Sequence, residues 1–144
     1  MTVAAITAVL GGTQMLRRRI DSDSELTRLT REGLPVRTLT LLAEGLGIER
    51  RTLARVVGIS DRTLSRRIAK DERLSAEESD RTVRLARVIA MATDTLGNPQ
   101  KASSWLQKPN RALEDQMPLD LLDTDTGARS VETVLGRIEY GLYS

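Results

Sequence analysis

The chain has 144 residues, 22 of them basic and 20 acidic, with no cysteine, no histidine, no phenylalanine, one tryptophan and two tyrosines. Lacking thiol and imidazole, it offers no disulfide, no thiolate nucleophile, no imidazole base and no zinc site built from the usual ligands. No apolar run approaches the ~20 residues of a membrane span, and the opening MTVAAITAVLGG has no basic residue ahead of its apolar stretch, which makes it a poor signal peptide.

Helical spacing dominates throughout, without period-two alternation, so the expected fold class is all-α. Residues 3–10 (VAAITAVL) read as a short apolar helix ended by Gly11-Gly12; the segment around Arg17-Arg18-Arg19 is ambiguous. Residues 24–32 follow as a second helix, with Ser24 as N-cap and Gly33 as stop. Pro35 is placed to start a helix reaching Glu44, which Gly45 and Gly47 break. Two short helices come next, at about 49–57 and 61–70, joined by Gly58-Ile59-Ser60. Ser75-Ala76-Glu77-Glu78 forms a capping box, opening the longest helix, at about 76–96, which Gly97 closes. Asn98-Pro99 restarts a helix whose inner face is Ala102, Trp105 and Leu106. Lys108-Pro109-Asn110 is a turn, Pro118 begins a short helix, residues 123–127 (DTDTG) form a loop, and the last helix spans about 128–142.

Charge divides unevenly along these elements. Residues 1–74 hold 14 basic and 9 acidic side chains, whereas residues 75–144 hold 8 and 11. Such asymmetry implies two surfaces with different partners, against the alternative of merely solvated helix faces.

The stretch RRTLARVVGISDRTLSRRI, residues 50–68, has the spacing of a helix-turn-helix. Such a motif needs a small residue where the helices cross, a glycine in the turn and apolar residues on the inner face of the second helix. Ala54, Gly58 and the pair Leu64 and Ile68 fill those places, with Ile59 plugging the crossing and Ser60 capping the second helix. Arg62, Thr63, Arg66, Arg67 and Lys70 are left on the outer face. Recognition helices read bases from their first turns and meet phosphate farther along. Arg62, Thr63 and Arg66 are therefore expected at base edges, and Arg67, Lys70, Arg50, Arg51 and Arg55 at phosphate. Residues 50–73 carry 8 basic and 3 acidic side chains, in keeping with that footprint. A homodimer is expected, because one such unit alone binds weakly and half-sites lie about one helical turn apart; the 76–96 helix is a candidate for part of the dimer surface.

The carboxyl end, IEYGLYS, concentrates both tyrosines in seven residues. Tyr140 and Tyr143, three apart, would share one helical face while Leu135, Ile138 and Leu142 anchor another. The tail either packs back on its own domain or meets another molecule; tyrosine suits both. Trp105 with Leu106 reads as core. Asp123, Asp125 and Thr126 beside Gly127 hint at a calcium loop, but no Glu stands at the EF-hand's twelfth position, so a loop with an N-cap is the better reading. Asp80 with Arg84 and Glu78 with Arg81 suit helical ion pairs. No nucleophile-plus-base constellation is visible, so no enzyme is expected.

Several stretches taken in order resemble one family, the Xre/MbcA/ParS-like antitoxins: GISDRTLSRRI with Leu74, ESDRTVRLARV at 78–88, ASSWLQKPNRAL at 102–113, MPLDLLDTDTGARSV at 117–131 and RIEYGLYS at 137–144. The resemblance runs from about Gly33 to the last residue. It implies a helical extension at 1–32, a helix-turn-helix DNA-binding domain at 33–74 and a helical toxin-binding domain at 75–144. It further implies a cytoplasmic type II antitoxin without cofactor or metal. Such a protein neutralises a neighbouring RES-domain, NAD⁺-consuming toxin by covering its active site, and represses its own operon on operator DNA. Carried onto this sequence, Arg137, Tyr140, Gly141, Tyr143 and Ser144 become the toxin contacts. The alternative is a helix-turn-helix transcriptional regulator whose carboxyl-terminal domain senses a small ligand.

Overall fold

A computed structural model describes residues 2–141. Among them are nine α-helices: α1 (Val3–Val9), α2 (Gly12–Leu16), α3 (Asp23–Glu32), α4 (Arg37–Leu46), α5 (Arg50–Val57), α6 (Asp61–Lys70), α7 (Ala76–Leu96), α8 (Pro99–Leu106) and α9 (Asp125–Glu139). Two 3₁₀ segments, η1 (Arg111–Leu113) and η2 (Pro118–Asp123), join the last two. The expected all-α class holds, with isolated bridges in place of strands: Pro35 pairs with Arg73 and Asn110 with Gln116.

α7 organises the molecule. Its capping box forms as the sequence requires, Ser75 accepting from the Glu78 amide and Glu78 accepting from the Ser75 amide. Leu85, Ala86, Val88 and Ala92 are wholly buried, and α7 packs against α1 and α3 on one side and α8 and α9 on another. None of residues 81–93 is exposed. Packing within the protomer takes up most of the middle of α7, while Ala76, Glu77 and Asp80 of its first turns are exposed. The core is aliphatic and continuous, running from Ile6 through Leu53 and Leu85 to Leu135, with Trp105 packed partly buried against it.

Residues 33–36 and 72–74 form a two-rung clasp. The Val36 amide donates to the Glu72 carbonyl at 3.2 Å and the Leu74 amide to the Leu34 carbonyl at 2.8 Å. Gly33 sits at φ +103, and a Cβ there would stand 2.2 Å from the Leu74 carbonyl oxygen. Only glycine tolerates both the conformation and the approach. The Ser79 hydroxyl, buried in α7, accepts from the Leu34 amide at 2.8 Å and fastens the clasp to the core.

Several boundaries differ from the sequence expectation. α3 is capped by Ser22 rather than Ser24, its hydroxyl accepting from the Glu25 amide. Pro35 sits in the clasp, two residues before α4, and Gly45 lies inside that helix, which ends at Gly47 in the left-handed region. A short helix, α2, occupies the segment before Arg17. The helix begun by Pro118 is 3₁₀. Residues 125–127 are the first turn of α9 and not a loop, with Thr124 accepting from the Gly127 amide as N-cap. α9 then stops at Glu139: Tyr140 is its C-cap and Gly141 turns away at φ +72. The single helical face expected for Tyr140 and Tyr143 rests partly on residues outside those described. Leu142, Tyr143 and Ser144 lie outside the described residues.

Candidate functional site

The helix-turn-helix forms where its spacing places it. Gly58 takes φ +91, the Ile59 amide closes on the Ala54 carbonyl at 2.8 Å, and Ser60 caps α6 by accepting from the Thr63 amide. Leu53, Ala54, Val57 and Leu64 are wholly buried; Ile68 packs partly buried beside them. A missed residue seals the turn from outside. Arg81 of α7 donates to the Val57 carbonyl at 3.2 Å, and its guanidinium lies 2.8 Å from where a Cβ on Gly58 would stand. The expected Glu78–Arg81 pair is thus replaced: Arg81 serves the turn, and Glu78 pairs with Arg67. The expected Asp80–Arg84 pair is present at 4.0 Å.

On α6, Arg62, Ser65, Arg66, Ala69 and Lys70 are exposed and Thr63 is half-buried. Positions 62, 65, 66 and 69 follow the i, i+3, i+4, i+7 rule, so they make one stripe along the helix. Arg62, Arg66 and Lys70 have no ion-pair partner among the described residues. Ser65, which the sequence reading passed over, accepts from Arg50 at 2.9 Å, and Arg50 also stands 4.0 Å from Asp61. These bonds hold Arg50 beside the first turn of α6. Arg51 is exposed and bonded to Glu49 at 2.5 Å. Arg55 reaches Asp120 of η2 at 3.2 Å, joining the motif to the acidic half.

Arg67 differs from the other cations of α6. Its side chain is only 20% exposed and that of its partner Glu78 only 14%, so this ion pair clamps α6 to α7 rather than facing solvent. Burial by itself would raise the Glu78 carboxyl. The Arg67 guanidinium and the hydrogen bonds from Ser75 outweigh burial and hold it below its ordinary value. A lowered folded-state pKa contributes stability that is present above the unfolded-state pKa, about 4.3 for Glu, and is lost as pH falls through the folded value. Acidification below about pH 4.3 is therefore expected to weaken the wild type through this group. Glu78→Gln should be less stable at pH 7 and show a shallower acid limb. Urea midpoints measured from pH 7 to pH 3 check it; parallel pH profiles for the two proteins would refute the clamp.

At the other end, Tyr140 is 83% exposed, the single exposed large hydrophobic side chain among the described residues. Arg137 is exposed in the last turn of α9, and Ala128, Val131, Val134 and Leu135 anchor that helix. The DNA-facing candidates are thus gathered on α5 and α6, whereas Arg137, Tyr140 and Gly141 sit at the end of α9. Among the described residues, no group of three or more acidic side chains is placed to hold a metal ion; Asp125 instead pairs with Arg129 at 2.9 Å. No helix among them is long and apolar enough to cross a membrane.

These features define a helix-turn-helix protein with a helical carboxyl-terminal unit that carries an exposed aromatic at the C-cap of α9. The family model described as the antitoxin Xre-like helix-turn-helix domain matches residues 25–87. That of the antitoxin Xre/MbcA/ParS C-terminal toxin-binding domain matches residues 91–141. An antitoxin Xre of Photorhabdus laumondii is 35% identical over 124 residues, which cover 85% of this chain and 84% of the relative. A Prs ADP-ribosylating antitoxin of a Sphingobium species is 27% identical over 123 residues, covering 79% and 77%. A chain from the crystal structure of the M. tuberculosis MbcT–MbcA toxin–antitoxin complex superposes with a TM-score of 0.57 at 26% identity, covering 76% of this chain and 96% of that one. The chain belongs to the Xre/MbcA/ParS antitoxin family.

Proposed function

We propose that the chain is a type II antitoxin that binds a RES-domain, NAD⁺-consuming toxin, stoppers its active site with residues 137–144, and represses its own operon as a dimer on operator DNA. The observation that carries the toxin side is Tyr140, 83% exposed at the end of a helix anchored in the core. An aromatic so placed gives up little packing when it enters a partner's pocket, and tyrosines concentrate at such hot spots. Arg137, Tyr140, Gly141, Tyr143 and Ser144 are the proposed contacts. The resemblance to a chain of a toxin–antitoxin complex supports a toxin as partner, and a relative named for ADP-ribosylation supports a connection to NAD⁺ chemistry. Inhibition of this kind needs no catalysis by the antitoxin, since occupancy alone excludes substrate. Titrating the chain into its purified partner should abolish NAD⁺ consumption stoichiometrically; activity that persists in excess antitoxin overturns the proposal.

For DNA, the solvent-facing stripe of α6 carries the reading. Arg62, Thr63 and Arg66 are proposed at base edges, with Lys70, Arg50 and Arg51 at phosphate. Arg67 supports α6 through Glu78 and acts through position. Arg66→Ala is expected to cost about 1–3 kcal/mol on the operator if it makes a bidentate base contact. Fluorescence anisotropy on operator and on random duplex separates the cases, because an equal loss on both would make Arg66 a phosphate contact.

A further inference from the structure

The sequence Arg17-Arg18-Arg19 lies outside both family matches, which begin at residue 25. Two of these arginines are used within the extension: Arg18 bonds Glu32 at 2.5 Å and Arg19 bonds Asp21 at 3.1 Å. Arg17 is exposed and takes no side-chain partner among the described residues. Its backbone is held in the left-handed region, φ 58, where its amide donates to the Thr13 carbonyl at 2.8 Å. Non-glycine residues adopt that conformation seldom, and the surrounding structure must impose it. Here α2 imposes it, and α1 keeps the extension in place by packing on α7.

What Arg17 faces is the far end of α6. It lines a cleft of about 430 Å³ with Gln14, Pro35, Arg37, Leu41 and Asp71. Asp71 is the C-cap of α6, and Arg37 bonds it at 3.3 Å. Lys70, at the last turn of α6 and one residue before Asp71, is exposed. Ten residues of α-helix span about 15 Å. With the first turns of α6 in the major groove, its last turn therefore approaches the backbone that walls the groove. Asp71 and Glu72 bring negative charge to the same place, but Asp71 is committed to Arg37.

We propose that Arg17 is a DNA-phosphate contact supplied by the amino-terminal extension, which acts with Lys70 as a clamp at the end of the recognition helix opposite Arg62, while Arg37 neutralises Asp71 between them. The proposal rests on the DNA-binding reading above and adds to it a partner for residues that the helix-turn-helix itself does not contain. A phosphate contact strengthens binding to every sequence alike and releases counterions, adding about 0.9 to the slope of log affinity against log salt.

The test compares full-length wild type, Arg17→Asn and Arg66→Ala on operator and random duplex from 0.05 to 0.4 M salt. Asparagine removes the charge and still tolerates the left-handed conformation; Arg17→Gly, which takes it freely, serves if thermal melting shows Arg17→Asn to be less stable. The expected result for Arg17→Asn is a slope shallower by about 0.9 and an affinity about eightfold lower at 0.1 M salt on both duplexes. An unchanged slope, or a loss confined to the operator, overturns the clamp while leaving the DNA reading intact if wild type binds and Arg66→Ala binds the operator more weakly. A wild type that binds neither duplex overturns both.

Discussion

Under the proposed function, a chain ending at Glu139 is expected to lose affinity for its toxin by roughly 700-fold while keeping its fold and its hold on operator DNA. The asymmetry follows from where α9 stops. Val131, Val134 and Leu135 are buried and Ile138 packs on the core, so a cut after Glu139 removes no buried side chain among the described residues. Stability should shift by no more than about 0.5 kcal/mol, as for other surface changes. Tyr140 contributes nothing to the core at 83% exposure, whereas tyrosines that become hot spots cost about 2 kcal/mol or more each when removed. Two such residues together come to about 4 kcal/mol, roughly 700-fold, since each 1.4 kcal/mol is a factor of ten. Three measurements on the truncated protein are needed: NAD⁺ consumption by the purified toxin, melting temperature and operator affinity. Undiminished inhibition would remove the tail from the mechanism.

The local structure behind that expectation was largely readable in the sequence because its signals are local. Ala54, Gly58, Ser60 and Leu64 fix the helix-turn-helix through bonds and packing made within eleven residues, and all fall where their spacing put them. The Ser75 capping box, the Asn98 cap with Pro99 and the Gly97 stop are equally local and equally faithful. One missed cap was legible: Ser22 and Glu25 have the same S-x-x-E spacing as Ser75 and Glu78, and it is Ser22 that accepts from the Glu25 amide. The other misses depend on tertiary contacts that no local pattern carries. Arg67 looks like a surface cation on its own helix, and only the arrival of α7 gives it Glu78. Arg81 lies 23 residues beyond Gly58 and still decides what surrounds that turn. Gly45 reads as a breaker, yet the burial of Leu42, Ala43 and Leu46 carries the helix through it. The last helix, read as reaching about residue 142, stops at Glu139 because Gly141 takes the left-handed region just after its C-cap.

Gly127 and Gly136 turn the same lesson into an expected difference in sign. Both lie within α9, and replacing an interior helical glycine with alanine ordinarily stabilises by about 0.5–1 kcal/mol. Gly136→Ala should do so, because nothing lies within 4 Å of the new methyl group. At Gly127 the same methyl would stand 2.0 Å from the Leu121 carbonyl oxygen and 2.9 Å from the Thr124 hydroxyl. The first of these is backbone, so it cannot swing aside; η2 would have to move off the first turn of α9. Overpacking of that kind costs about 1–3 kcal/mol, and more when main chain is displaced. Gly127→Ala should therefore melt several degrees below wild type and Gly136→Ala a few degrees above it. Because η2 also carries Asp120 to Arg55, 3.2 Å apart, the displacement should reach α5 as well. Operator affinity should then fall in Gly127→Ala and not in Gly136→Ala. If calorimetry found both variants stabilised alike, the packing of η2 against α9 would be looser than this structure has it, and the link from the acidic half to the helix-turn-helix would go with it.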